Sequence, residues 1–192
     1  MKRLLISASL ALGLASGLFA DTLVVSAVNG GAATGSSQLN FDNLTLGNGS
    51  PQSADSHVTV TFTGSAGAVI GASSGLYAPP VLSGGNGLGF GSPDQLDGVD
   101  ATTYLTSGKN SELTFGFDSL QKYFGLLWGS VDNYNTLSFY NGVTLVGSIT
   151  GTDITANANG NQGASGTYYV NINDTLGAGF DSVVATSTQY AF

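Results

Sequence analysis

Residues 136–149 read Thr-Leu-Ser-Phe-Tyr-Asn-Gly-Val-Thr-Leu-Val-Gly-Ser-Ile. Leu137 and Phe139 alternate with Thr136, Ser138 and Tyr140. Val143, Leu145, Gly147 and Ile149 resume the alternation after Asn141-Gly142. Period two marks a strand with one buried face. Asn-Gly between two such runs is the strongest short hairpin signal, because both residues tolerate the positive φ of a type I′ turn. The stretch therefore predicts an antiparallel hairpin with those apolar residues on one inner face.

The same alternation recurs outward from it. Val58, Val60 and Phe62 alternate with threonines; Leu113, Phe115 and Phe117 alternate with Thr114 and Gly116; Tyr168, Val170 and Ile172 alternate with Tyr169 and Asn171. Leu120, Tyr123, Phe124 and Leu127 also fit a helix face, but the aromatics and Gly125 favour a strand over Lys122–Trp128. Runs rich in Gly, Ser, Asn and Pro, such as Gly47–Ser56, Ala78–Pro93 and Ala156–Gly166, separate the strands. The fold predicted is all-β: a single antiparallel β-sandwich domain, jelly-roll-like, over residues 21–192.

Composition narrows the function. Only 8% of the 192 residues are charged, against about 25% in ordinary globular proteins. Thr, Ser and Asn are left to cover the sheet faces. Four basic residues face twelve acidic ones, so nothing can neutralise a row of phosphates and nucleic acid is excluded as a partner. The absence of cysteine removes disulfides and thiolate chemistry, and a single His57 removes multi-histidine metal sites.

Residues 1–20, MKRLLISASLALGLASGLFA, have the layout of a secretory signal peptide. Lys2 and Arg3 precede an uncharged apolar run that is short of the ~20 residues a membrane span needs. Cleavage is expected near Ala20, leaving a mature chain without a transmembrane span. Its net charge changes from −8 to −10 with the loss of Lys2 and Arg3.

Residues 122–142, KYFGLLWGSVDNYNTLSFYNG, carry a family resemblance. They resemble bacterial exosortase-dependent surface proteins of the PEP-CTERM type, in a subgroup with a YFGxxWGSxDxYNTxxFY block. FDSVVATSTQYAF at 180–192 is similar to the last core strands of that subgroup. The resemblance implies an exported β-sandwich, sorted to the cell surface and associated with exopolysaccharide. The family's usual continuation is a Val-Pro-Glu-Pro signal, an apolar span and a basic tail. That C-terminal sorting signal is absent from the sequence through Phe192.

Three candidate sites follow from the residues. Trp128, Asp132, Asn133, Tyr134, Asn135 and Tyr140 combine aromatic faces with amide and carboxylate groups, the chemistry of a sugar-binding loop. The competing reading, which leads, buries Trp128 in the core and has Asp132 and Asn135 cap the turn. Asp94, Asp97 and Asp100, with Gly98 to turn the chain, could converge on calcium. Their spacing is not that of an EF-hand, and an exposed acidic loop leads there. Catalysis ranks last. Glu112 is the only glutamate and should point outward beside Leu113, and no carboxylate sits in an apolar run that would raise its pKa. His57 should face solvent beside Val58.

The expectation is a non-enzymatic, exported bacterial protein of the cell surface or extracellular matrix, with extracellular polysaccharide or matrix proteins as partners. A carbohydrate-binding module, with or without a calcium requirement, is the alternative, and a glycan hydrolase the distant one.

Overall fold

The computed structural model describes residues 23–30, 38–85 and 95–189. The expected leader and Asp94 lie outside them. The described chain is an antiparallel β-sandwich. Its small sheet has three strands in the order β1 (Leu23–Asn29), β12 (Tyr168–Asp174), β9 (Tyr123–Trp128). Its large sheet has six. These are β11 (Thr144–Thr150), β10 (Asn135–Asn141), β13 (Phe180–Ser187), β8 (Glu112–Gln121), β3 (Val58–Phe62) and β2 (Gln52–Ser53), in that order. Two short pairs complete it: β4 (Gly67–Val69) with β7 (Tyr104–Thr106), and β5 (Val81–Leu82) with β6 (Gly98–Val99). Among the described residues no helix is long and apolar enough to cross a membrane.

Register turns the sequence alternation into layers. Ile149, Leu137, Ala185, Leu113 and Phe62 are cross-strand neighbours in one inner row. Gly147, Phe139, Val183, Phe115 and Val60 form the next. The small sheet answers with Val25, Ile172 and Phe124, then Ala27, Val170 and Leu126. Phe124 reaches across the gap between sheets, its ring centroid 5.4 Å from Phe115, 6.3 Å from Phe117 and 5.9 Å from Phe139. These tilted and edge-on contacts suit the quadrupoles of the rings.

The deciding hairpin exists, but with two corrections. Asn141 pairs with Thr144, so Gly142 and Val143 are the central turn residues. Gly142 has φ 58 whereas neither Asn141 nor Val143 has positive φ, the pattern of a type II′ turn rather than I′. Gly142 also donates its N–H to both carboxylate oxygens of Asp181, at 3.1 and 3.0 Å. This shift leaves Val143 99% and Leu145 53% exposed. A bulge then inserts Val146: Phe139 pairs with Gly147 and Tyr140 with Leu145. The extra residue restores the parity, so Gly147 and Ile149 face inward and Val146 is buried. Strict period two from Val143 to Ile149 is therefore broken where the strand bends.

Asp174 ends an inner row, its side chain fully buried. Gly177 and Gly179 donate their N–H groups to it at 2.7 and 2.6 Å, and Lys122 lies 3.3 Å away. Burial alone would raise its pKa, but those donors together hold it below the usual carboxylate value.

The bulge makes a direct prediction. Leu145→Thr should change unfolding free energy by no more than about 0.5 kcal/mol, as exposed substitutions do. Val146→Thr places a hydroxyl in the core and should cost roughly 1–3 kcal/mol. Urea titrations of the two variants check it.

Candidate functional site

Three strands cannot cover six. Phe124 holds β9 over β8, and β3 and β2 extend past it. The segments 38–42, 76–82 and 100–105, rather than a fourth strand, face the uncovered part. Leu39, Phe41 and Leu105 pack there against the core, with Phe41 6.1 Å from Phe115. A cleft of about 1070 Å³ remains between these segments and β9.

Every residue from Gln121 to Ser130 lines this cleft. Successive side chains of a strand point to opposite faces. Lining by both parities in an unbroken run means that the cleft meets β9 edge-on. Among the described residues β9 pairs only with β12, and no described hydrogen bond ties the cleft-side backbone of Tyr123–Leu127. One end of the cleft holds Asp55, His57, Asp118 and Lys122, and the other holds Asp132, Tyr134, Asn159 and Gln162. Tyr77 and Tyr104 form part of the opposite wall, edge-to-face with centroids 6.3 Å apart. Burial pushes the Tyr104 phenol above its ordinary pKa, and its hydroxyl donates to the Gly71 carbonyl at 2.5 Å.

On the outer face of β9, Gly125 makes room for two rings. A Cβ there would collide with the Tyr123 and Tyr169 hydroxyls. Tyr123 donates to Asn171 Oδ1 at 2.8 Å, and the two hydroxyls lie 3.3 Å apart.

The residues singled out from sequence are spread by this geometry. Trp128 is 2% exposed and belongs to the core, so its faces are turned inward rather than offered to solvent. Asp132 is buried with its carboxylate against Gly160, whose missing Cβ admits it. Burial raises the Asp132 pKa, opposed by a hydrogen bond from Tyr134, while burial and that carboxylate push the Tyr134 phenol up to about 12. Asn135 is 0% exposed on the inner row of β10, and neither amide atom has a hydrogen-bond partner among the described residues. The turn is closed by backbone instead, with Asn135 N–H donating to the Asp132 carbonyl at 3.3 Å. The side-chain caps expected from Asp132 and Asn135 are thus replaced by a main-chain bond. Asn133 is exposed, and Tyr140 is half-buried on the outer face of the large sheet, away from the loop's inner residues. Asp132 and Tyr134 are the two of the six that reach the cleft beside Trp128.

In the second candidate, Asp97 accepts the N–H groups of Gly84 and Gly85, both at 3.2 Å. Asp100 accepts the Thr102 N–H at 2.8 Å and hydroxyl at 2.7 Å. Gly98, expected in a turn, is in β6 with φ 136. Among the described residues no three His, Cys, Asp or Glu side chains gather as a metal would need.

His57 does face solvent, and it has a partner the sequence did not disclose. Its Nδ1 lies 2.6 Å from Asp118 Oδ2, with the side chains 69% and 53% exposed. Antiparallel pairing of Val58 with Phe117 sets these neighbours side by side. Compared with family models, curated proteins and solved structures, the chain matches none.

The His57–Asp118 pair titrates with a defined sign. Asp118, by hydrogen bond and then by charge, raises the His57 pKa above 6.5, and His57 lowers that of Asp118. The histidine's contribution is complete below its unfolded value, near ~6.5, and is lost as pH rises through the higher folded value. The aspartate's contribution is present above about 3.9 and is lost as pH falls through its lower folded value. An NMR titration of the His57 ring should give a pKa above the free-imidazole value. Asp118→Asn should return it toward that value.

Proposed function

We propose that this chain is an exported, non-enzymatic protein of the bacterial cell surface or extracellular matrix, associated with exopolysaccharide. The observation that carries the reading is the outer face of the large sheet. Thr150, Thr136, Thr186 and Glu112 are cross-strand neighbours in one row. Ser148, Ser138, Val184, Thr114 and Thr61 make the next. Tyr140, Ser182, Gly116, Thr59 and Ser53 make a third.

Neighbouring positions lie about 4.8 Å apart across the strands and about 6.8 Å along them, and hydroxyls fill all of them in these rows but Val184, Gly116 and Glu112. Such a face offers donors and acceptors to a hydroxylated polymer, with the Glu112 carboxylate at the end of one row. Ser138 and Ser148, 3.1 Å apart, show hydroxyls of adjacent strands within bonding reach. The leader-like residues 1–20 and the resemblance at 122–142 support export to a surface.

Two cleft carboxylates support a non-enzymatic reading: Asp55 and Asp100 accept backbone N–H groups two or three residues along the chain, the work of turn-forming aspartates. A carbohydrate-binding module remains the second reading. The inward-facing Trp128 moves it from the 129–135 loop to the cleft, where the half-buried Tyr77 and Tyr123 supply ring faces.

Cosedimentation of residues 21–192 with the producer's own exopolysaccharide tests the proposal. Saturable cosedimentation is expected, without release of reducing ends. Thr61→Lys with Thr114→Lys should weaken it about tenfold while the chain stays folded by circular dichroism. A folded protein that stays in the supernatant would overturn the reading. Polymer cleavage abolished by an Asp→Asn change in the cleft would replace it with an enzyme.

A further inference from the structure

We propose that the cleft beside β9 receives an extended basic segment of a partner protein, added as a fourth strand to the small sheet. Three observations converge. First, the cleft meets β9 edge-on, and the cleft-side backbone groups of Tyr123–Leu127 have no partner among the described residues. An open strand edge is a template for pairing with another chain. Five residues at about 3.3 Å each give a site roughly 16 Å long.

Second, the missing fourth strand is where the sandwich is thin. Phe117, Phe124 and Leu126 are only partly buried along the cleft. A strand laid against β9 would point every other side chain onto these groups and the intervening ones outward. The occupant therefore alternates apolar residues with polar ones.

Third, the charge is one-sided. Asp42, Asp55, Asp100, Asp118 and Asp132 line the cleft. The cations that line it are already engaged: Lys122 with Asp174 and the Gly177 carbonyl, and His57 with Asp118. Asp55 and Asp100 each use one oxygen, Oδ1, on loop donors, so the other faces outward from the cap. An incoming chain with lysine or arginine at its polar positions meets opposite charge, whereas an acidic one is repelled. The backbone edge favours a peptide over a cationic amino-sugar polymer, which matches the charge but cannot continue a β-ladder.

The proposal depends on the cleft and not on polysaccharide association, so the two can fail separately. The probe is an acetylated, amidated octapeptide alternating lysine and valine, titrated by calorimetry into residues 21–192. Controls are a glutamate–valine counterpart, two isomers N-methylated at alternate residues of either parity, and a glucosamine oligomer. Saturable binding of the lysine peptide is expected, weakening as salt rises. One N-methylated isomer should lose at least tenfold, since only one parity faces β9. Asp55→Asn with Asp100→Asn keeps the cap-accepting oxygen, and should weaken binding about tenfold without changing cosedimentation with exopolysaccharide. No saturable binding overturns the proposal. So does equal binding by both N-methylated isomers, or binding of the glucosamine oligomer alone.

Discussion

Phe124 crossing from the small sheet into the phenylalanine cluster of the large one is the contact on which the remaining architecture depends. Its ring meets Phe115, Phe117 and Phe139, and Phe139 and Phe180 stack edge-on at 5.0 Å behind it. Edge-to-face pairs add about 0.5–1.5 kcal/mol each to the burial of their surface. The cluster fixes where the small sheet lies, because an interior packed to crystal-like density accepts few alternative registers. With no cysteine in the sequence, packing of this kind does what disulfides do in many exported domains.

The same placement creates the cleft. Once β9 is held over β8, the inner face beyond it is covered by loops, and among the described residues the edge of β9 is left beside open volume. Two carboxylates near one end of β9 have different tasks. Asp174 is buried and clamps the turn at Gly177–Gly179, while Asp118 stays in solvent and orients His57. Across the sandwich, the outer face of the large sheet carries hydroxyls in ordered rows. One domain therefore presents two unlike surfaces: a face dominated by hydroxyls and an acidic cleft with a strand edge.

The strands were legible because alternation is imposed locally by half-burial. Val58–Phe62, Leu113–Phe117 and Tyr168–Ile172 each announce an inner and an outer face. The error lay at Val143–Val146, where a turn displaced by one residue and a compensating bulge cancel; neither leaves a mark in the hydrophobic pattern. The site was less legible. Trp128 looks the same in sequence whether its ring faces a ligand or the core. Asp132 and Asn135 look like turn caps, and only the backbone path shows the cap to be main-chain. The cleft gathers residues from segments far apart in the chain, and it follows from a difference in strand number between sheets. No spacing rule encodes that difference. The one local hint was Gly125 amid the aromatics of β9, where two tyrosine hydroxyls need the space of a side chain.

The open edge of β9 is the most exposed part of this account to direct measurement. Amide hydrogen exchange followed by NMR should show alternation along Tyr123–Leu127. Amides aimed at β12 should be protected like those of β10 and β13, and those aimed at the cleft should exchange at loop rates. Uniform protection of all β9 amides would contradict the account, because it would mean that the edge is already paired and the cleft has no strand to offer.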